Sequence, residues 1–198
     1  MLKKNLPSQN YWDERYRENE TAWDMGEISP PLKAYFEQLK NKRISILIPG
    51  CGNSYEAAWL LENGFTSITL IDISEVLVTR LREKFPPPLH LITGDFFALT
   101  GQYDLIIEQT FFCALDPSQR KEYVEKMYSL LRPGGKLVGL LFDREFTGGP
   151  PFGGHKEEYL SLLEKRLEIR TLEPCYNSIR PRAGTELFLI AEKEILLR

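Results

Sequence analysis

Pro49-Gly50-Cys51-Gly52 follows the apolar run Ile44-Ser45-Ile46-Leu47-Ile48 and precedes a helical pattern from Tyr55; Asp72 stands twenty positions after Gly52, in Leu70-Ile71-Asp72-Ile73-Ser74. A strand that ends in a Gly-rich turn lets backbone approach a ligand closely. A carboxylate ending the next strand can accept hydrogen bonds from both hydroxyls of a ribose. Together these residues form the skeleton of a nucleoside site. A dinucleotide fingerprint asks for a third glycine, so that a helix N-terminus can cradle a pyrophosphate, and here Tyr55 occupies that place. The pattern therefore favours a nucleoside without phosphates.

S-adenosylmethionine is the commonest such ligand on this scaffold, with its methionine end over Gly50 and Gly52 and its adenosine towards Asp72. An ordinary strand-turn-helix whose glycines only permit a tight bend would carry the same residues. Other chemistry finds little support. Cys51, Cys113 and Cys175 are far apart and odd in number, so neither a metal site nor a disulfide framework is expected. Cys51 reads as small turn filler. His90 begins a strand pattern and His155 opens a helix, and both read as structural or solvated.

The elements that would hold these groups recur in a regular alternation. Apolar runs at 44–49, 67–72, 89–93, 104–108 and 136–142 are separated by helical patterns at 55–63, 75–85 and 118–131. Strands alternating with helices imply a parallel sheet, and continuously apolar strands imply helices on both faces. Asp116-Pro117-Ser118-Gln119 supplies a helix start, and Arg132-Pro133-Gly134-Gly135 a stop. After Phe142 come a Gly/Pro loop at 148–154, a helix at 156–166, and strands at 167–173 and 186–192, whose short join predicts an antiparallel pair closing the sheet. The loop reads as a lid over the ligand rim or as a plain connector.

The 198 residues carry a net charge of −3 with both signs interspersed, which gives no electrostatic footprint for nucleic acid and no basic face for a membrane. No linker or repeat divides the chain, so residues 1–198 read as one domain. The polar opening Met1-Leu2-Lys3-Lys4-Asn5 offers no apolar block for a signal peptide, and cytoplasmic residence is the expectation. The expected partner is a small molecule, with the chain a monomer or weak dimer.

Leu131-Arg132-Pro133-Gly134-Gly135-Lys136-Leu137 and Gly94-Asp95-Phe96 resemble further landmarks of class I S-adenosylmethionine-dependent methyltransferases. Trp12-Asp13-Glu14-Arg15-Tyr16, Thr21-Ala22-Trp23-Asp24-Met25-Gly26 and Phe111-Phe112-Cys113-Ala114-Leu115-Asp116-Pro117 resemble, more narrowly, the thiopurine, thiol and halide methyltransferase family. Asn177-Ser178-Ile179, Arg182, Gly184 and Glu186 look like its C-terminal signature. The resemblance implies a Rossmann-like α/β fold with a seven-stranded, mostly parallel sheet and an antiparallel last strand. It also implies that residues 1–40 cover the cofactor and residues 41–198 form the core.

Carried over by position, the resemblance has Trp12, Tyr16 and Trp23 enclose the cofactor, Gly50 and Gly52 support its methionine part, and Asp72 hold the ribose. Asp95 and Phe96 would flank the adenine. Glu108, Gln109 and Phe111 would position the reacting groups, with Glu108 and Gln109 beneath the sulfonium. The sequence departs from the family at Tyr16, where relatives often carry Trp, and at Gln109, where halide-like members show Tyr. Trp12, Tyr16 and Trp23 read equally as a helix face packed on the sheet. Arg182 pairs with Glu186 or reaches the rim.

The reaction so implied moves a methyl group from S-adenosylmethionine to a thiol, thiopurine or halide-like anion by in-line displacement, leaving S-adenosylhomocysteine. The absence of a His–carboxylate pair favours a soft nucleophile that needs no base. An O- or N-methyltransferase and a non-catalytic S-adenosylmethionine-binding protein are the alternatives.

Overall fold

A computed structural model describes residues 7–195; the polar opening at 1–5 lies outside the described residues. Two helices, α1 (Gln9–Glu18) and α2 (Pro30–Phe36), precede an alternation of β1 (Ile46–Pro49), α3 (Tyr55–Glu62), β2 (Ile68–Asp72), α4 (Glu75–Lys84), β3 (His90–Thr93) and β4 (Tyr103–Gln109). Then follow α5 (Arg120–Leu130), β5 (Leu131–Phe142), α6 (Lys156–Leu163), β6 (Glu168–Pro174) and β7 (Glu186–Glu192). The strands form one seven-stranded sheet in the order β3-β2-β1-β4-β5-β7-β6. Strand β7 runs antiparallel to both β5 and β6, while the pairings among β1 to β5 are parallel. The last strand in sequence thus lies inside the sheet, and β6 takes the edge.

Alternate residues of the central strands feed opposite layers. Ile46, Ile48, Leu105 and Ile107 pack with Leu32, Phe36, Leu60, Leu77 and Leu81, while Leu47 and Ile106 pack with Tyr123, Met127, Leu137 and Tyr159. Each of these side chains contributes about 1.5–3 kcal/mol when fully removed from water, which is why β1 and β4 read as unbroken apolar runs.

Two local expectations change. The helix expected over 118–131 is a 3₁₀ turn, Pro117–Gln119, followed by α5. Asp116 Oδ1 accepts from the Ser118 amide at 2.9 Å and from its hydroxyl at 2.6 Å, which tightens that first turn. The stop at 132–135 does not separate helix from strand either. Leu131 already pairs with Tyr103, and the register slips before Leu105 pairs with Lys136, so the Arg-Pro-Gly-Gly segment is a bulge inside β5.

The N-terminal helix is joined to the core by a buried carboxylate. Asp13 Oδ1 accepts from Ser74 Oγ at 2.6 Å and from the Val76 amide at 3.2 Å, at the N-terminus of α4, where backbone donors and the helix dipole favour an anion. Ser74 Oγ in turn accepts from the Leu77 amide at 3.1 Å as the N-cap. This contact spans 61 residues of sequence and sets α1 over the carboxyl ends of the strands.

Candidate active site

A cavity of about 660 Å³ opens at the carboxyl ends of β1, β2 and β4. It lies where the strand order turns from β1–β2 on one side to β4 on the other, the position at which open α/β sheets bind ligands. Trp12, Tyr16, Trp23, Gly50, Gly52 and Asp72 all line it, and so do Asp95, Phe96, Gln109 and Phe111.

The glycine turn is shaped by close approach. Gly50 and Gly52 have φ of +54° and +50°, and a Cβ on Gly50 would lie 2.3 Å from the Phe111 ring. Only glycine combines that dihedral with that contact. Next to the turn, Asp72 Oδ1 accepts from the Ser74 amide at 2.9 Å and Oδ2 accepts a long contact of 3.5 Å from the Gly52 amide, with the Ile73 amide also engaged; a carboxylate has about four acceptor sites, so this cavity-lining group keeps capacity for a further donor. Burial raises the Asp72 carboxyl to about 6, against the lowering effect of those amides, with a further push from Asp13.

An aromatic wall faces the turn. Trp23 stands edge-on to Trp12 at 5.5 Å and to Tyr16 at 5.7 Å. Burial raises the Tyr16 phenol, first by desolvation and then through Asp72, so it stays neutral. The Trp23 carbonyl accepts from Arg182 Nη2 at 2.8 Å, while Asp24 Oδ2 accepts from Tyr55 Oη at 3.2 Å and from the Asn53 side-chain amide. The segment around Trp23 is thereby tied both to the glycine turn and to the C-terminal hairpin. Arg182 does both things the sequence left open, pairing with Glu186 at 3.4 Å and lining the cavity.

Asp95 likewise combines two roles, accepting from the Phe97 amide at 2.9 Å to cap a 3₁₀ turn while lining the cavity. Phe96 packs edge-on to Phe111 at 5.1 Å. At the end of β4, Gln109 Oε1 is buried with no hydrogen-bond partner among the described residues. Glu108 is elsewhere: fully buried and absent from the cavity lining, it is engaged by the Phe111 and Phe112 amides, both at 2.8 Å, and by the Tyr123 hydroxyl at 2.6 Å. Its carboxylate supports the segment that carries Phe111 rather than facing a ligand.

Several cavity residues escaped the sequence reading. Thr110, at φ +58°, turns the chain from β4 into the Phe111 segment, and Cys113, Leu115, Arg15, Arg144 and Phe146 join the lining. Burial pushes the Cys113 thiol up to about 12, first by desolvation and then through Glu108, which makes it inert as a nucleophile. Cys51 is raised for the same first reason. His90 and His155 lie outside the lining; His155 sits 3.6 Å from both Asp143 and Glu145 at the surface.

The residues fit an S-adenosyl compound. The Asp72 carboxylate has spare acceptor capacity beside a close-approach glycine turn, and aromatic faces tolerate a cationic sulfur. The sequence profile of the thiopurine S-methyltransferase family matches residues 8–193. The chain belongs to this family. It is an S-adenosylmethionine-dependent methyltransferase.

A probable thiol methyltransferase 2 of Arabidopsis thaliana is 32% identical over 186 residues, covering 88% of this chain and 81% of its own. The thiopurine S-methyltransferase of Vibrio parahaemolyticus is 30% identical over 179 residues, covering 80% and 82%. The thiocyanate methyltransferase 1 of A. thaliana is 28% identical over 149 residues, covering 71% and 65%. Among solved structures, the 1,6-didemethyltoxoflavin-N1-methyltransferase of Burkholderia thailandensis with bound S-adenosylhomocysteine superposes with a TM-score of 0.74 at 18% identity, over 94% of this chain and 87% of that one. That likeness concerns the fold of the enzyme. Among the described residues, no helix is long and apolar enough to cross a membrane.

Proposed function

We propose that the enzyme transfers the methyl group to a small soft nucleophile, a thiol foremost, or a thiopurine or halide-like anion, by in-line displacement. When bound, S-adenosylmethionine supplies a methyl group that its sulfonium already makes electrophilic. In this reading Asp72 grips the ribose, Gly50 and Gly52 seat the methionine part, and Asp95 and Phe96 flank the adenine. Trp12, Tyr16 and Trp23, on the covering segment 1–40, exclude water, while Gln109 and Phe111 bound the space next to the reacting methyl. Holding the attacking atom about 3–3.5 Å from its target in such an enclosure can supply on the order of 7–11 kcal/mol of the barrier.

The observation that carries the acceptor class is the chemistry of the cavity wall. That wall combines aromatic rings, prolines and the cations Arg15, Arg144 and Arg182 with the carboxylates of Glu20, Asp24, Glu27, Glu56, Asp72 and Asp95; both its thiols are pushed up by burial, as are the phenols of Tyr16 and Tyr55. No histidine lies in that lining. The aromatic, proline and arginine part of that wall, formed by Phe111, Phe142, Phe146, Pro150, Pro151, Arg144 and Arg182, suits a nucleophile that arrives as an anion. The relatives named for thiol, thiopurine and thiocyanate acceptors support the same reading.

The test is S-adenosylhomocysteine release across aryl thiols, alkyl thiols, iodide, thiocyanate, phenols and amines. Thiols or soft anions are expected to turn over, with the rate for an alkyl thiol of pKa about 8.5 rising with pH as its thiolate fraction rises, and that for an acidic aryl thiol nearly flat. Turnover of phenols or amines alone would replace the acceptor class. Tight cofactor binding with no product from any acceptor would replace the catalytic reading itself.

A further inference from the structure

The loop between β5 and α6 contributes Arg144, Phe146, Pro150 and Pro151 to the cavity wall. Its Gly-Gly-Pro-Pro and Gly-Gly segments carry few long side chains, so hydrogen bonds, both within the loop and from neighbouring elements, bear on its position. Three contacts hold its far limb. The Phe152 amide donates to the Cys113 carbonyl at 2.6 Å, the Gly154 amide donates to the Arg144 carbonyl at 3.1 Å, and the Gly153 carbonyl accepts from Arg120 Nη2 at 2.6 Å.

Arg120 begins α5, is 4% exposed and does not line the cavity. Its Nη1 donates to Glu158 Oε1 on α6 at 2.6 Å, and its guanidinium carbon lies 4.9 Å from the centroid of the Phe112 ring. The Nε has no partner among the described residues, so the side chain's polar hold rests on those two contacts. One planar fork therefore joins α5, α6, the wall loop and the 3₁₀ turn that follows Phe111. A lysine offers a compact point charge without the planar fork, so it does not reproduce the spacing at which Nη1 and Nη2 reach the two acceptors.

We propose that Arg120 is a positioning residue for the methyl acceptor: it sets the 144–154 loop against the cavity and so shapes the acceptor's binding space, while leaving the glycine turn and Asp72 untouched. The inference rests on the reading of the cavity given above. Replacement by methionine keeps an apolar stem against Phe112 and leaves Glu158, whose side chain is 41% exposed, in water, so no charge is stranded.

The test compares wild type, Arg120→Met and Arg120→Lys by steady-state kinetics with whichever thiol or soft anion wild type methylates, by calorimetry with S-adenosylhomocysteine, and by hydrogen exchange of the peptide spanning 146–155. For Arg120→Met, the acceptor KM is expected to rise about tenfold or more with kcat changed by less than about threefold, and the S-adenosylhomocysteine Kd to stay within about twofold. Exchange in the 146–155 peptide should accelerate about tenfold, with the 50–55 peptide unchanged. Arg120→Lys should fall between the two, and it also serves as the second variant if the methionine protein folds poorly. An unchanged acceptor KM, or a KM that rises only together with the S-adenosylhomocysteine Kd, would overturn the assignment. If wild type methylates no thiol or soft anion, the acceptor reading fails separately. The exchange arm then decides the role of Arg120, and unaltered exchange at 146–155 rules it out.

Discussion

Replacing Asp72 by alanine is expected to raise the Kd for S-adenosylhomocysteine about 100-fold or more. A buried carboxylate that accepts from two ribose hydroxyls contributes about 1.5–3 kcal/mol for each charge-assisted bond, and each 1.4 kcal/mol is tenfold. The fold should survive. The side chain accepts from neighbouring backbone amides, those of Ser74, Gly52 and Ile73, the Gly52 contact being a long 3.5 Å, and its removal also relieves the burial that lifts it from 3.8 to about 6. Asp72→Asn keeps one acceptor oxygen and should lose about tenfold.

The pH dependence supplies an independent check. If Asp72 grips the ribose as proposed, affinity should be flat above neutrality and fall as pH drops through about 6. Stability moves the other way. A carboxyl whose folded value is raised contributes stability that is fully present below its ordinary 3.8 and lost as pH rises through about 6. As pH falls across that window wild type should bind less tightly while resisting denaturant better; Asp72→Ala should flatten the binding trend and remove its share of the stability trend, leaving that of Glu108. Calorimetric titrations and denaturation midpoints measured between about pH 4 and 8 would show it. Unchanged affinity in Asp72→Ala would mean that the carboxylate does not grip the ribose.

What could be read from the chain was what local pattern encodes. The double-sided burial of β1 and β4 is written in consecutive apolar residues, and the glycine turn with Asp72 is written in residue types at a fixed spacing. The parallel core and its antiparallel final pairing followed from the order of elements, and the seven strands from the family resemblance. What stayed hidden depends on partners distant in sequence. Asp13 stands inside the Trp12–Tyr16 motif with no role of its own in the sequence, and its buried role needs Ser74, 61 residues away. Arg120 reads as an ordinary helix residue until Gly153 and Glu158 are brought beside it. The bulge at 132–135 could not be told from a helix stop, because Pro and Gly serve both and only the pairing of Leu131 with Tyr103 decides.

Glu108 shows the same limit at the site itself, because the resemblance placed it with Gln109 beneath the sulfonium. Instead, three donors converge on it. The Phe111 and Phe112 amides share Oε1, and the Tyr123 hydroxyl takes Oε2. Glu108→Leu fills the space but strands all three, which should lower the unfolding free energy by about 3–5 kcal/mol and loosen the Phe111 ring that packs against Gly50.

Glu108→Gln separates charge from geometry. Its carbonyl can still accept both amides and its NH₂ can donate to the Tyr123 oxygen, so stability should stay within about 1 kcal/mol of wild type. Burial raises the native carboxyl from 4.5 to about 7, while Tyr123 is itself raised and keeps its proton to donate. Below about pH 7 a proton on Glu108 competes with the three donors, so turnover should fall on the acid side. The group's contribution to stability runs oppositely, being full below 4.5 and lost as pH rises through about 7. In Glu108→Gln that acid limb of kcat should vanish, leaving only the fall in cofactor affinity near 6 that belongs to Asp72. A limb that persists near 7 in the glutamine variant would assign the titration to another group and reduce Glu108 to a structural support.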